Sequence, residues 1–283
     1  MTIRTSTLEG IPESVLLDCF LDAFSDYEVD ITMDGERFHR HLVRNGYDPA
    51  ISLGAFDGGR LVGFALFGRR MHIGRDTAYD LGTGVRPEAR RCGIASLLFD
   101  MAEETARSAS LEVMLLEVIR TNVKALELYK AKGFTISRGL SCYAMEDDLP
   151  HHEMPDGITC TCSQARLELY DRFTDTLHSW QNSRQSIASS KDDFLSFTAC
   201  GPDGIVVAHG ILCPSTGEVP TLAVKAESRG RGTASALMCA MAKRSESGRL
   251  RVLNVEDGSS MQGFLDSIGF KVFVRQYEMA RLL

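Results

Sequence analysis

The chain has 283 residues, of which 44% are hydrophobic and 24% are charged, and its formal net charge is −7 at pH 7. This composition is typical of a soluble globular protein and excludes a fibrous or disordered chain, while the negative charge argues against a nucleic-acid partner. No apolar run approaches the about 18 residues of a membrane span, and the N-terminus MTIRTSTLEG lacks the apolar stretch of a signal peptide. We therefore expect a cytoplasmic protein with no membrane partner, and its length suggests two domains.

Helix and strand patterns alternate through the first half of the chain. Apolar side chains at helical spacing predict helices, and alternating or continuous apolar runs next to Gly-rich turns predict strands. The predicted elements are, in chain order, helices over 12–24 and 36–43, a hairpin from ISLGAF through Asp57-Gly58-Gly59 to LVGFALFG, a strand over 77–81, a helix over 93–108, the strand VMLLEVI, a helix over 123–132, and final strands from Gly133-Phe134.

The same order of patterns returns in the second half, from about residue 158. The predicted elements are helices over 167–180 and 186–197, the hairpin TACGPDGIVVAHG, the strand TLAV, a helix after Gly232, the strand RVLNV, a short helix, and a strand after Gly269-Phe270. Between the halves, MEDDLPHHEMPDG has no periodicity and reads as a linker. The sequence therefore predicts a duplication, with domains over 1–147 and 158–283 and a linker over 148–157.

Two Gly-rich loops stand between a strand and a helix in matching places of the two halves. They are VRPEARRCGIASLL from Val85 and VKAESRGRGTASAL from Val224. Unpaired N–H groups at a helix N-terminus, together with its positive dipole end, attract anions, so each loop is a candidate phosphate site. The alternative is that Gly93 only permits a tight turn, but the repetition in the same context favours anion binding. A P-loop and a Rossmann fingerprint are excluded, because Gly-Lys-Ser/Thr and G-x-G-x-x-G are missing.

These loops and their surroundings resemble the Gcn5-related N-acetyltransferases. RRCGIA and RGRGTA are similar to the acyl-CoA pyrophosphate loop of that family, and LEVIRTNVKALELYKAKGF, from Leu116, is similar to its next strand, helix and Gly-Phe terminus. The resemblance covers nearly the whole chain as a tandem pair, with more motifs in the first half. It implies a mixed α/β fold with two tandem domains, each a central mixed, mostly antiparallel seven-stranded sheet flanked by helices. The fourth and fifth strands of such a sheet splay apart to admit acyl-CoA.

The resemblance implies acetyl-CoA as the cosubstrate and no metal. In the family, the pantetheine arm enters the gap between the splayed strands and pairs with their backbone groups. The loop N–H groups would hold the pyrophosphate, Arg90 and Arg91 would add positive charge, and Asn122 would contact CoA or orient its helix. The alternative for Asn122 is a helix N-cap, which Asn favours. The implied cofactor-binding residues are Val85, Arg90, Arg91, Cys92, Gly93, Ile94, Ala95 and Asn122.

A carboxylate is expected near the attacking amine, because an ammonium cannot attack and a general base removes its proton. Glu117 is the first candidate, since a charge in the buried strand VMLLEVI needs a reason. The stretch also resembles the ribosomal-protein N-terminal acetyltransferases of the family, whose matching Glu is the base. The alternative is that Glu117 is a solvent-facing strand residue. Asp80, in the preceding strand, is the second candidate.

Tyr129 is the candidate general acid for the departing thiolate, because its position matches the family's tyrosine. A thiolate with a reference pKa of about 8.5 can accept a proton from a positioned phenol with a pKa of about 10. The alternative is an aromatic side chain that only packs on an amphipathic helix.

The second half lacks this pattern, although it keeps the loop. Aligned on their Gly-Phe dipeptides, the halves pair Tyr129 with Leu265, Asn122 with Gly258, and Glu117 with Leu253. We therefore predict a catalytic first domain and a degenerate second one, which binds CoA or only completes a substrate pocket. The possible second CoA site comprises Val224, Arg229, Gly230, Arg231, Gly232, Thr233 and Ala234.

The acceptor site is expected at the first helices and their connecting loop, as the resemblance implies. Asp26 is a candidate partner for a substrate ammonium and Tyr27 for stacking on the substrate, although Asp also simply ends helices and begins turns. Asp80 is the remaining candidate substrate residue. The expected function is acetyl transfer from acetyl-CoA to a primary amine, of a small molecule or a peptide N-terminus, by direct attack in a ternary complex. The alternatives are a noncatalytic acyl-CoA-binding or sensing protein and a tandem scaffold.

Overall fold

The computed structural model describes residues 2–26, 32–145 and 151–283. The chain forms two compact units: the first comprises 1–137 and 277–283, and the second comprises 138–276. The predicted domains, 1–147 and 158–283, differ from these units in where the ends of the two halves lie. The predicted domain boundaries and the predicted linker over 148–157 therefore remain proposals.

The first unit alternates helices and strands as its sequence patterns predict. Its elements are β1 Ile3–Thr7, α1 Glu13–Ala23, α2 Gly35–Asn45, β2 Leu53–Asp57, β3 Arg60–His72, β4 Arg75–Val85, α3 Ile94–Ser108, β5 Val113–Ile119, α4 Val123–Ala131, the beginning of β6 Thr135–Ala144 and the end of β12 Lys271–Leu282. The short strand β1 was not predicted. It pairs antiparallel with β2 at the edge of the sheet.

The sheet of the first unit separates between β4 and β5. Its order is β1-β2-β3-β4-β5, continued by the end of β12 and the beginning of β6. The strands are antiparallel up to β4, and β4 and β5 are parallel. The register of β4 with β5 runs from Thr77–Val113 to Tyr79–Leu115. Both strands continue beyond it, β4 to Val85 and β5 to Ile119. The splay that the resemblance implied is therefore present.

The core of the first unit lies between the sheet and α3 and α4. Met114, Leu116 and Val118, every second residue of β5, are buried there together with Leu98 and Phe99 of α3. Because side chains alternate between the faces of a strand, the odd-numbered residues of β5 face away from α3.

The second unit repeats the order of strands and the splay. Its elements are β7 Thr159–Gln164, α5 Arg184–Ser189, β8 Leu195–Cys200, β9 Val206–Cys213, β10 Glu218–Val224, α6 Thr233–Ala242, β11 Arg251–Glu256, α7 Ser260–Ser267, most of β6 and the beginning of β12 Lys271–Leu282. The sheet order is β7-β8-β9-β10-β11-β6. β10 and β11 are parallel and pair at Glu218–Arg251, before both strands run on. The predicted duplication and mixed α/β fold are confirmed.

One helix predicted in the second half is wrong, and another is shorter than predicted. Residues 167–180 form only a 3-10 turn at Leu167–Leu169 followed by irregular backbone, because this stretch is rich in Asp, Thr and Ser, whose side chains bond to nearby backbone. The hydroxyl of Thr174, for example, donates to the carbonyl of Thr176 at 3.1 Å. The second predicted helix, 186–197, ends at Ser189, and its last residues enter strand β8, where Phe197 is buried. Among the residues described, no helix is long and apolar enough to span a bilayer.

Candidate functional site

A cavity of about 590 Å³ lies in the first unit beside the end of β4, the start of α3 and helix α4. Cys92 is exposed and does not line it, and neither do Glu117 and Asp80. The predicted site residues that line the cavity are Val85, Arg90, Arg91, Gly93, Ile94, Ala95, Asn122, Tyr129 and Asp26. The structure thus brings the predicted loop, the predicted acid and one predicted acceptor residue to one cavity.

The loop presents the uncapped start of α3 to this cavity. Gly93, with a φ of 76°, precedes the first helical residue, and no side chain of the described residues caps the helix. The first helical bond is made by the N–H of Leu97 to the carbonyl of Gly93 at 3.0 Å, so the N–H groups of Ile94, Ala95 and Ser96 have no acceptor within the helix. A Cβ atom on Gly93 would meet no protein atom within 4 Å, so it would project into open space. This geometry fits a pyrophosphate.

Arg90 and Asp26 form an ion pair at the rim of the cavity. The two terminal nitrogens of Arg90 donate to the two carboxylate oxygens of Asp26 at 2.6 and 2.7 Å. These bonds lower the pKa of Asp26 below its usual value. The role of Arg90 as countercharge and that of Asp26 as ammonium partner stay predictions, and in this structure the two residues neutralise each other. Tyr27, the other predicted acceptor residue, lies outside the described residues.

Helix α4 places Asn122 and Tyr129 on the cavity wall. The side-chain oxygen of Asn122 accepts from the N–H of Ala125 at 3.2 Å, so Asn122 is the N-cap and also lines the cavity. The ring of Tyr129 packs against Phe99, with 5.1 Å between ring centres, and only 8% of the residue is exposed. The structure therefore gives Tyr129 both a packing role and access to the cavity.

Asp80 is buried behind the cavity wall, and a hydrogen bond joins it to a residue of that wall. It accepts from the N–H of Gly82 at 2.9 Å and from the hydroxyl of Thr83 at 3.1 Å, and Thr83 lines the cavity. Burial raises the pKa of Asp80 to about 7, against the opposing effect of these two donors. A carboxylate with this pKa suits proton transfer near neutral pH.

Glu117 lies on the other face of the sheet. Its neighbours Leu116 and Val118 point into the core beneath α3, so the side chain of Glu117 faces away from it. The residue is half-buried, and its Oε1 atom is enclosed by protein. Glu117 is therefore not a freely solvated strand residue, and its role as general base stays a prediction beside that of Asp80.

A second cavity, of about 400 Å³, lies at the matching place of the second unit. Gly230 and Gly232 have φ values of 73° and 87°, as Arg91 and Gly93 have 63° and 76°, so both loops share one backbone conformation. Arg231 does not line this cavity, although the rest of the predicted second site does. Those lining residues are Val224, Arg229, Gly230, Gly232, Thr233 and Ala234.

The pairing of the helices α4 and α7 corrects one detail of the alignment. The N-cap of α7 is Ser259, whose side chain accepts from the N–H of Gln262, so Ser259 and not Gly258 corresponds to Asn122. α7 is one residue shorter than α4, which the alignment from the Gly-Phe end could not show. The C-terminal ends of α4 and α7 agree with the alignment. The N–H of Phe134 bonds to the carbonyl of Tyr129 as that of Phe270 bonds to Leu265.

Three residues near the sites were missed by sequence reasoning. Thr83 and Ser259 have no distinctive motif, although an Asp followed three residues later by Thr is a local hydrogen-bonding pattern. Arg86 is 3% exposed and donates to Asp22 at 2.6 Å, to Asp18, and to the carbonyl of Leu61 at 2.9 Å. Its partners are remote in sequence, so no local signal identifies it. Among the described residues, no group of three or more His, Cys, Asp or Glu side chains could hold a metal ion.

The sequence pattern of the acetyltransferase (GNAT) family matches residues 14–134. A tandem GNAT protein from the clavulanic acid biosynthesis pathway has a TM-score of 0.71 at 17% identity, over 99% of this chain and 98% of that one. A GCN5-related N-acetyltransferase from Sphaerobacter thermophilus has a TM-score of 0.72 at 17% identity, over 99% and 95%. No functionally curated protein matches the chain. Residues 14–134 therefore match the acetyltransferase (GNAT) family, and the chain has the fold of tandem GNAT proteins.

Proposed function

We propose that the protein is an acetyl-CoA-dependent N-acetyltransferase whose first unit catalyses acetyl transfer to a primary amine, of a small molecule or a peptide N-terminus. The observation that carries the proposal is the cavity of the first unit, which joins the uncapped N-terminus of α3 to the side chain of Tyr129. An anion site and a candidate acid then lie on one cavity beside splayed strands. The family of residues 14–134 supports the same chemistry.

Acetyl-CoA supplies the acetyl group as a thioester. The N–H groups of Ile94, Ala95 and Ser96 bind its pyrophosphate, and the αL conformation of Gly93 directs them there. The ends of β4 and β5 offer backbone groups to its pantetheine arm, because the two strands no longer pair with each other beyond Tyr79 and Leu115.

Two proton transfers complete the reaction. A carboxylate takes the proton that the amine loses on attack, either Asp80 through the hydroxyl of Thr83 or Glu117 from the opposite face. Tyr129 gives its phenolic proton to the departing sulfur. Direct attack in a ternary complex needs no covalent enzyme intermediate, and no cysteine is among the described residues that line the cavity.

The second unit is proposed to bind acyl-CoA without catalysing transfer. Its loop has the backbone conformation of the first loop, and α6 likewise starts at a Gly with no side-chain cap among the described residues. Leu265, however, offers no proton donor where the first unit has Tyr129. With the one-residue shift, Glu117 pairs with Asn254, whose uncharged amide cannot serve as a general base. Binding and catalysis are thereby separated between the units.

Free-thiol release from acetyl-CoA tests the function, with a panel of small amines, amino acids, aminoglycosides and peptides as acceptors, beside calorimetry with CoA alone. Turnover with any amine, together with CoA binding, is the expected result. CoA binding without turnover across the panel would favour a noncatalytic acyl-CoA-binding protein. Neither binding nor turnover would favour a scaffold.

A further inference from the structure

Arg90 joins three separate parts of the first unit. Its Nε donates to the carbonyl of Val85, the last residue of β4, at 3.1 Å. One terminal nitrogen also donates to the carbonyl of Ala23, the last residue of α1, at 2.9 Å. Both terminal nitrogens hold Asp26, just beyond α1. These bonds use four of the five N–H groups of the guanidinium, so little donor capacity is left for a phosphate.

The second unit contains a similar arrangement, in which one terminal nitrogen, and not both, bonds to the carboxylate. The Nε of Arg229 donates to the carbonyl of Val224, the last residue of β10, at 3.0 Å, and a terminal nitrogen donates to Asp175 at 2.9 Å. The other terminal nitrogen approaches the carbonyl of Phe173 at 3.4 Å. Arg90 and Arg229 are the first residues of RRCGIA and RGRGTA, the matching stretches of the two loops. The geometry is therefore tied to the loop motif, and the first unit is not an isolated case.

The two segments that Arg90 connects belong to different substrates under the proposed function. The end of β4 and the loop serve acyl-CoA, whereas the segment that follows α1 lies where the acceptor is expected. A rigid bidentate guanidinium–carboxylate pair fixes both the distance and the orientation between the two segments that carry it, which a lysine ammonium does not. Small errors in the relative placement of two reactants are costly for a bimolecular transfer.

We propose that Arg90 and Asp26 are positioning residues, which hold residues 24–26 on the acceptor side in register with the strand and loop that carry acyl-CoA. The pair then acts on how well the amine is presented and not on how tightly CoA is held. This inference rests on the proposed function for the identity of the two substrates. The contacts of Arg90 are observed in the structure and do not depend on the proposed function.

Two conservative variants test the proposal. Asp26→Asn keeps the shape of the carboxylate but removes its charge, and Arg90→Lys keeps the charge but removes the fork. With saturating acetyl-CoA and the best amine of the panel, each is expected to lower kcat/KM for the amine about tenfold. The Kd for CoA, measured by calorimetry, is expected to stay within about twofold. The double variant should lower kcat/KM for the amine no more than either single variant, because each substitution removes the same ion pair.

The opposite pattern would overturn the proposal. If Arg90 is a phosphate ligand, Arg90→Lys keeps most of the amine kinetics, Arg90→Met raises the Kd for CoA, and Asp26→Asn changes neither. Asp175→Asn is the matched control, since it breaks the same contact in the second unit. Amine kinetics that fall equally in Asp175→Asn and Asp26→Asn would show a general loss of structure and contradict a positioning role.

A second readout does not depend on turnover. Hydrogen–deuterium exchange of the peptide that ends α1, residues 16–26, is measured with and without CoA. In the unmodified protein, CoA is expected to slow exchange in this peptide, because the loop and α1 are joined through Arg90. In Asp26→Asn, CoA should still bind but slow this exchange less, because the bonds of Arg86 to Asp18 and Asp22 remain. If CoA binds and the peptide responds equally in both proteins, the positioning role is wrong, whatever the outcome of the amine panel.

Discussion

Tyr129 is the residue whose change separates catalysis from binding most directly. Tyr129→Phe keeps the ring packed on Phe99 but removes the hydroxyl. We expect kcat to fall on the order of 10²-fold while the affinity for acetyl-CoA changes little, because positioned proton transfer contributes about 10²–10⁴. Steady-state kinetics with thiol detection measure both. Tyr277→Phe, which also removes a phenol in the first unit, is the control, and an unchanged kcat in Tyr129→Phe would remove Tyr129 from the mechanism.

The general base is a choice between Asp80 and Glu117, which pH profiles can decide. The variant that removes the base should lose the acidic limb of the kcat/KM profile and regain activity at high pH, where the amine deprotonates unaided. Burial places the pKa of Asp80 at about 7, so a wild-type limb centred near that pH favours Asp80. The profiles of Asp80→Asn and Glu117→Gln are compared directly. A limb that survives in both variants would exclude both carboxylates.

Asp80 should also make stability depend on pH. Its pKa is raised from 3.8 to about 7 on folding, so between these values the folded chain binds more protons than the unfolded chain. The free energy of unfolding therefore decreases as pH rises from about 4 to about 7, by on the order of 1–4 kcal/mol. Urea melts of the wild type and Asp80→Asn, at several pH values, measure this. A pH dependence that is the same in both proteins would contradict the burial of Asp80.

At the scale of elements, α1 is fastened to the segment between β4 and α3 by Arg86. Its guanidinium is buried, whereas the side chains of Asp18 and Asp22 are 74% and 38% exposed. Arg86→Met leaves these carboxylates unpaired but hydrated, and it leaves the carbonyl of Leu61 without its donor. We expect a loss of about 1–3 kcal/mol in the free energy of unfolding, less than for a fully buried pair.

The exposed pair of Arg60 and Glu88 provides the comparison. Its side chains are 60% and 49% exposed, so Arg60→Met should cost less than about 1 kcal/mol. Chemical denaturation of both variants gives the two values under identical conditions. Equal losses would mean that Arg86 contributes no more than a surface contact to the position of α1.

At the scale of the whole molecule, the two loops should differ in function although they share a conformation. Gly93→Val and Gly232→Val each put a branched side chain at a positive φ that L residues rarely adopt, and into open space beside the loop. We expect Gly93→Val to abolish acetyl transfer. Gly232→Val should lose one CoA in calorimetry and retain substantial turnover.

Thermal melts followed by circular dichroism must come first, because strain at either glycine can unfold a domain. Folded Gly232→Val that is inactive, beside folded Gly93→Val that is active, would place catalysis in the second unit. Two CoA molecules bound to the wild type and one to each variant would support the proposed division. A single CoA bound to the wild type and lost only in Gly93→Val would leave the second cavity without a CoA role.

The sequence by itself determined what repeats over short distances. The loops, their flanking strand and helix, and the exchange of Tyr129 for Leu265 are local patterns, in which backbone hydrogen bonds and apolar spacing act within a few residues. They were sufficient for the duplication, the mixed α/β fold and the list of loop residues. The same local reasoning was wrong over 167–180, where side chains that bond to nearby backbone compete with a helix.

Only the tertiary structure decided the contacts between residues far apart in the chain. The sequence predicts Arg90 as a phosphate countercharge, and only folding brings Asp26 to it, across 64 positions. The sequence made Asp80 only the second candidate for the base, and its burial, which raises its pKa, and its bond to Thr83 behind the cavity came from the fold. Desolvation and charge pairing depend on what surrounds a group in three dimensions, and the order of residues along the chain does not specify those surroundings.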